Sequence, residues 1–201
     1  METQTNTGLG LIKTTIERVE NQKSLFKSAL KKLVNSSEKE LSDFLGRQFF
    51  LIHPIKSIKD AIKKVKYDWV YDYILKGEEN QKLVKQLEKA SVSKEVETEL
   101  VHFNKSISTE NALKELDRMG MRPATEVELL AFGVEYPEEQ RKYPIVALPS
   151  QEQINNDSVF RDEGGIRCAL CLFRHGAERR LDLVWLEGAW HGRWRFLAVR
   201  K

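Results

Sequence analysis

The stretch Arg179–Lys201, RRLDLVWLEGAWHGRWRFLAVRK, decides how the rest of the chain is read. Leu181, Leu183 and Trp185 alternate with Asp182 and Val184, and Phe196, Ala198 and Arg200 alternate with Leu197 and Val199. Both runs are rich in strand-forming residues, so two strands are expected, joined as a terminal hairpin. The tip, Glu187–Arg193, is expected to be irregular: Gly188 and Gly192 permit turns, while Trp190 is too large and apolar to be left in water. A frayed end has no use for Phe196, Leu197 and Val199 together, which places the last strand inside a sheet.

Working back from this stretch, Val96, Thr98, Leu100 and His102 alternate with Glu95, Glu97, Glu99 and Val101, a pattern that predicts a strand opening the same sheet. Ser108 is placed to cap a helix running to Met119, and Gly120 stands where a left-handed residue ends it. Met121-Arg122-Pro123 is expected to be extended, and Thr125-x-x-Glu128 is a capping box opening a helix that carries Leu129, Leu130 and Phe132. Pro137 begins a further helical turn, Tyr143–Leu148 reads as an apolar strand, and Gln151–Asp162 reads as a long polar loop.

The preceding residues read as helices. Ile12, Val19, Phe26 and Leu33 recur every seven residues, with Ile16 and Leu30 between them and Lys23 breaking the series. That stripe suits a packed helix or a short coiled coil. Ser37–Glu40 opens a helix through Phe50, stopped by His53-Pro54; Ser57 caps another from Ile58 to about Leu75; a short one spans Asn80–Ala90. The first 93 residues carry 17 Lys+Arg against 12 Asp+Glu, whereas residues 94–201 carry 16 against 18 and hold four of the five prolines and three of the four tryptophans. A domain boundary is therefore expected near Ser91–Ser93.

A hydrophobic content of 41% beside 31% charge indicates a water-soluble globular chain. No apolar run is long enough to cross a bilayer, and METQTNTGLG lacks the basic-then-apolar design of a signal peptide, so the expected compartment is the cytoplasm, with surface display left open. A net charge of +3 does not by itself imply nucleic acid. Lys56, Lys59, Lys63, Lys64 and Lys66 beside Tyr67 and Trp69 could contact phosphates and bases, but such a run more often forms the solvated side of a helix. Cys168 and Cys171, with His175 and His191, supply four zinc-ligand types, yet on a strand the two thiols would point to opposite faces.

The segment Gly120–Gly133 (GMRPATEVELLAFG), Tyr143–Leu148, Leu181–Leu186 and Trp194–Arg200 resemble the variable proteins of diversity-generating retroelements. These are C-type-lectin-fold domains of the formylglycine-generating-enzyme-like subgroup, found in bacteria, archaea and phages. The resemblance covers roughly residues 94–201. It implies an α+β fold, a C-type-lectin-like ligand-binding domain at 94–201 preceded by an all-α helical module at 1–93. It also implies an exposed face rewritten by mutagenic reverse transcription, on a scaffold of Leu181, Leu183, Trp185, Trp190, Phe196, Ala198 and Val199. The residues expected on that face are Arg167, Cys171, Phe173, Arg174, His175, Arg180, Val184, Gly188, His191, Arg193 and Trp194, with Cys168 a further candidate.

The resulting expectation is a binding protein whose partner is a protein or other macromolecule, with the N-terminal helices serving homo-oligomerisation or tethering. Exposed arginines favour an anionic or carboxylate-bearing surface. No catalytic residue, metal or cofactor is assigned. Two other classes compete: a nucleic-acid-binding protein using the Lys-rich helices, and an oxidase like the formylglycine-generating enzymes. The CxxC pair matches no motif for the latter, and no Ser–His–Asp order or phosphate loop stands out.

Overall fold

The strand Arg195–Arg200 has hydrogen-bonded neighbours on both edges, and its side chains alternate between two cores, Phe196 and Ala198 on one side, Leu197 and Val199 on the other. The expectation of an interior last strand is met. The computed structural model describes residues 49–55, 57–89 and 94–201. In chain order these form β1 (Phe49–Ile52), α1 (Ile58–Val65), β2 (Trp69–Val70), α2 (Tyr73–Lys76), α3 (Glu78–Lys89), β3 (Val96–Val101) and β4 (Ile107–Ser108). There follow α4 (Thr109–Arg118), β5 (Met121–Pro123), α5 (Glu126–Glu135), α6 (Glu139–Lys142), β6 (Ile145–Ala147), α7 (Gln151–Asn155), β7 (Phe160–Arg161), β8 (Arg167–His175), β9 (Glu178–Trp185), β10 (Ala189–Trp190) and β11 (Arg195–Arg200).

The described part is thus mixed α/β, with a nine-stranded mixed sheet in the order β1-β3-β11-β6-β8-β9-β2. β5 also pairs with β11, and β7 with β8. β11 runs antiparallel to β3 on one edge, with Phe196 opposite Val101 and Val199 opposite Thr98. Its other edge is shared end to end, parallel to β6 at Arg195–Phe196 and antiparallel to β5 at Ala198–Arg200. β8 and β9 form a long hairpin whose two-residue turn begins at Gly176, φ 59°, a left-handed conformation that suits the twist of paired strands.

Two cores flank the sheet. One holds Leu170, Leu172, Leu181 and Leu197 against α1, α3 and α5; the other holds Val146, Ala169, Phe196 and Ala198 against Ala112 and Leu116 of α4. Leu129, Leu130, Ala131 and Phe132 are consecutive and all buried, so α5 is covered on every side, which a helix lying on a sheet alone is not. α1 supplies part of that cover, packing on α5 through the face that carries Ile58, Ala61 and Val65.

Local signals were legible. Ser57 and Ser108 cap α1 and α4, accepting from the backbone N–H of Asp60 and Asn111. Thr125 and Glu128 form the expected capping box, and Gly120 stands at φ 70° after α4. Glu128 also takes a paired hydrogen bond from Arg122, at 2.7 and 2.8 Å, fastening β5 to the start of α5.

Several expectations are corrected. The terminal stretch is not a hairpin: β8 and β6 lie between β9 and β11, and the connecting segment turns away so that Trp190 pairs with Ile107 of β4. Phe49–Ile52 is not the end of a helix but a strand beside β3, with Thr98 Oγ1 donating to the Phe50 carbonyl. The helix from Ile58 stops at Val65, because Lys66 is left-handed (φ 53°) and Trp69–Val70 joins β9 as a parallel edge. Residues 49–89 are therefore not an all-α module. The chain divides into compact units at Met1–Arg47 and Gln48–Lys201, not at Ser91–Ser93. Within Gln151–Asp162, read as loop, α7 is opened by a Ser150–Gln153 capping box. The heptad stripe and the start of the Ser37 helix lie outside the described residues.

Glu126, in the first turn of α5, is buried; it accepts a hydrogen bond from Gln153 of α7 at 3.0 Å, and its other oxygen is enclosed without a hydrogen-bond partner. Burial raises its carboxyl above the usual range, with the nearby Glu128 charge adding to the effect. A raised folded-state pKa means that the carboxyl's contribution is present below the unfolded pKa and is lost as pH rises through the folded one. Glu126→Gln is accordingly expected to gain stability relative to the parent across that window and to match it at lower pH, measured by urea denaturation at a series of pH values.

Candidate functional site

The turn end of the β8–β9 hairpin, α6 and the segment before β11 enclose an open cleft of about 650 Å³. Strand alternation explains what reaches it. In the hairpin register Ala169, Cys171 and Phe173 lie opposite Val184, Asp182 and Arg180, so these six share one face of the sheet. Cys171, Phe173, Asp182 and Val184 line the cleft, and Trp194 closes one side with its ring edge-on to Trp190 at 5.1 Å.

The walls are fastened by backbone-directed hydrogen bonds. Gln140 of α6 is buried and donates to the carbonyls of Phe173 (2.8 Å) and Arg180 (3.1 Å), tying α6 across both hairpin strands. Arg141 donates to the Ala177 carbonyl at the hairpin turn and pairs with Glu138. On the other wall, Arg195 lies over the Tyr143 ring at 4.2 Å, and its backbone N–H donates to the Pro144 carbonyl. Beyond it, Trp190 donates to Thr109 Oγ1 (2.9 Å), which donates in turn to the Leu186 carbonyl (2.6 Å), so the tip is held to the start of α4 from inside.

Of the residues expected on the ligand face, seven line this cleft: Cys171, Phe173, Arg174, His175, Val184, Arg193 and Trp194. Cys171 is buried in its floor, so it offers no exposed side chain. Four lie elsewhere. Arg180 is drawn to Glu178 (2.6 Å) and over the Trp69 ring (4.9 Å); Arg167 faces Glu187 at 3.3 Å and borders a smaller hollow near α4 and α7. Gly188 and His191 are exposed in the tip.

Of the residues expected to form the scaffold, Leu181, Trp190, Phe196, Ala198 and Val199 are buried and Leu183 is half-buried. The expectation fails at Trp185, which is 58% exposed and donates from its indole N–H to Asp162. Its register partner on β8, Cys168, is buried, so alternation continues at Trp185 without burial.

Gln140, Tyr143, Asp182 and Arg195 are cleft residues that sequence reading missed. Asp182 shares its face with Val184 and Arg180, so alternation alone would have found it; Gln140 and Tyr143 carry no local signal. Burial raises the Asp182 carboxyl, an effect that Arg180 partly offsets, and burial lowers the Arg195 guanidinium.

Cys168 belongs to one core and Cys171 to the other, as alternation requires, so the thiols cannot share an ion. Burial pushes Cys168 up to about 12 and raises Cys171 as well, disfavouring the thiolate that metal binding or redox attack needs. Among the described residues no group of three or more His, Cys, Asp or Glu converges to hold a metal ion. The lysines of α1 lie on its outer side: Lys59, Lys63 and Lys64 are exposed, while Tyr67 packs into the core with its hydroxyl enclosed, out of reach of a base. Among the described residues no helix is long and apolar enough to cross a membrane.

No family model, curated protein or solved structure matches this chain.

Two substitutions separate the tip's anchor from its exterior. Trp190→Ala is expected to cost about 3–5 kcal/mol, the range for emptying a large buried aromatic, whereas Trp185→Ala should cost about 1 kcal/mol or less. Thr109→Val, which strands the indole N–H and the Leu186 carbonyl, should cost about 1–3 kcal/mol. Denaturant unfolding followed by tryptophan fluorescence ranks the three.

Proposed function

We propose that this chain is a ligand-binding protein, built on a C-type lectin fold of the formylglycine-generating-enzyme-like subgroup, whose cleft face is diversified by a retroelement. The observation that carries the reading is the pairing of the first strand of residues 94–201 with the last. β3 pairs antiparallel with β11, β5 joins β11 between two helices, and the β6-β8-β9 ladder projects beyond them with a cleft at its far end. Paired first and last strands and a separate ladder that carries the cleft support a lectin-like scaffold.

The division of labour along the sequence supports the same reading. Residues of β8, β9 and β11 that alternate into the cores are Leu, Ala, Cys, Phe and Val, whereas the exposed and half-buried cleft positions carry Phe, Arg, His, Asp, Val and Trp in no regular order. Such a face can be altered at its exposed positions, Arg174, His175 and Arg193, because the backbone beneath it is held by β11, Trp190 and the buried Gln140. The fold class alone does not make sugar the ligand, and nothing in the cleft gathers the carboxylates that calcium-dependent sugar binding uses. On this reading the protein is a binder, not an enzyme.

The deciding observation lies in DNA. Downstream of the gene we expect a near-copy of the segment encoding Arg167–Lys201 that differs almost only at adenines of the copy, next to a reverse transcriptase gene. The codons that differ should include those of Phe173, Arg174, His175, Val184, Arg193 and Trp194, and should spare those of Leu181, Trp190 and Phe196. A complete genome without such a repeat would falsify diversification and leave the cleft as an ordinary binding site.

A further inference from the structure

The charges around the cleft do not balance. Arg141 and Lys142 are paired with Glu138 and Glu139, but the remaining basic side chains of the lining are not neutralised in this way. Arg174 reaches only the Gly176 carbonyl, at 3.4 Å, and Arg195 reaches the carbonyls of Arg193 and Trp194 and the Tyr143 ring. Arg193 stands exposed at the rim. Among the described residues none of these three guanidinium groups makes an ion pair with a carboxylate, and Asp182 is the single carboxylate that lines the cleft. Arg195 is partly withdrawn from water, which lowers its pKa; a guanidinium held this way gains when an anion arrives.

We propose that the cleft takes an acidic segment of a protein partner, with Arg174, Arg193 and Arg195 holding its carboxylates while Phe173 and Trp194 pack against its apolar atoms. This rests on the reading of the cleft as the ligand face. Guanidinium forks match carboxylates in pairs of parallel hydrogen bonds, and flat aromatic walls add contact area at small entropic cost. Phosphate oxygens would satisfy the same forks, but a nucleic acid is a long polyanion and needs a basic surround. Here the unpaired arginines are local: residues 48–201 carry 25 Lys+Arg against 24 Asp+Glu, and Asp182 sits in the cleft itself. A short acidic stretch meets the arginines without meeting the rest of that field, so the balance of charge favours a peptide segment over a polynucleotide.

The test pans the full chain against a library of short random peptides and measures the selected peptides by fluorescence anisotropy. The expected outcome is enrichment in Asp and Glu, with binding weakened about tenfold or more when the peptide's acids are changed to amides, and likewise by Arg174→Gln with Arg193→Gln, both exposed and dispensable to the cores. Poly-glutamate should displace the peptide better than single-stranded DNA of equal charge. Selected peptides without acidic bias, none selected above background, affinity indifferent to the arginine changes, or stronger displacement by the DNA would each overturn the proposal. A second pair of variants, Phe173→Ala and Trp194→Ala, separates the two levels: peptides lacking acidic bias that these changes release would leave the cleft as the ligand face and remove only its chemistry, while peptides indifferent to all four changes would remove the ligand face as well.

Discussion

The six residues of β11 are the constraint on which the rest of the sheet depends. Each of the four central residues is buried, alternating between the two cores, and the two edges of the strand are taken by β3 on one side and by β6 and β5 on the other. In such a place every side chain must be apolar and every backbone group must find a partner, which leaves little latitude in sequence or register. Removing β11 would separate β3 from β6 and leave β5 with no strand to pair with. The hairpin β8–β9, by contrast, joins the β11 assembly through β6 and the helices, and its turn end is where the cleft opens.

How much of this could be read beforehand follows from the range of each interaction. Caps and stops are local, and Ser57, Ser108, Gly120 and the Thr125–Glu128 box all do what their types predict. The Ser150–Gln153 box obeys the same rule and was lost in a polar run. Pairing is not local. Whether Phe49–Ile52 continues a helix or makes a strand depends on β3, which lies more than forty residues on, and a short apolar run has no period that could say so. The supposed terminal hairpin failed for the same reason, since the partners of β9 and β11 are chosen elsewhere. One long-range fact was nevertheless present in the sequence. Four consecutive apolar residues, Leu129 to Phe132, inside a capped helix require cover on all sides, and a sheet provides only one; the boundary near residue 93 left no element to supply the rest.

Of the eleven positions that the resemblance implied for the ligand face, seven line the cleft, and each displaced one has a visible cause. Arg180 and Arg167 are turned aside by Glu178 and Glu187, while Gly188 and His191 lie on the outer side of a segment that Trp190 pulls inward. Trp185 shows the complementary error. It keeps the apolar alternation of β9 yet is exposed, and its indole N–H rests on Asp162. Alternation indicates which side of a strand a residue faces, and only the neighbouring layer determines whether that side is dry.

The two cysteines set one further property of the scaffold. They stand on opposite faces of β8, each enclosed, with thiols that resist ionisation. A strand that keeps them apart cannot join them, and their burial keeps oxidants away from sulfur that is mostly protonated. The fold between β3 and β11 therefore owes nothing to a disulfide between these cysteines: the two buried thiols neither need an oxidant for the chain to fold nor lose a bond in a reducing environment.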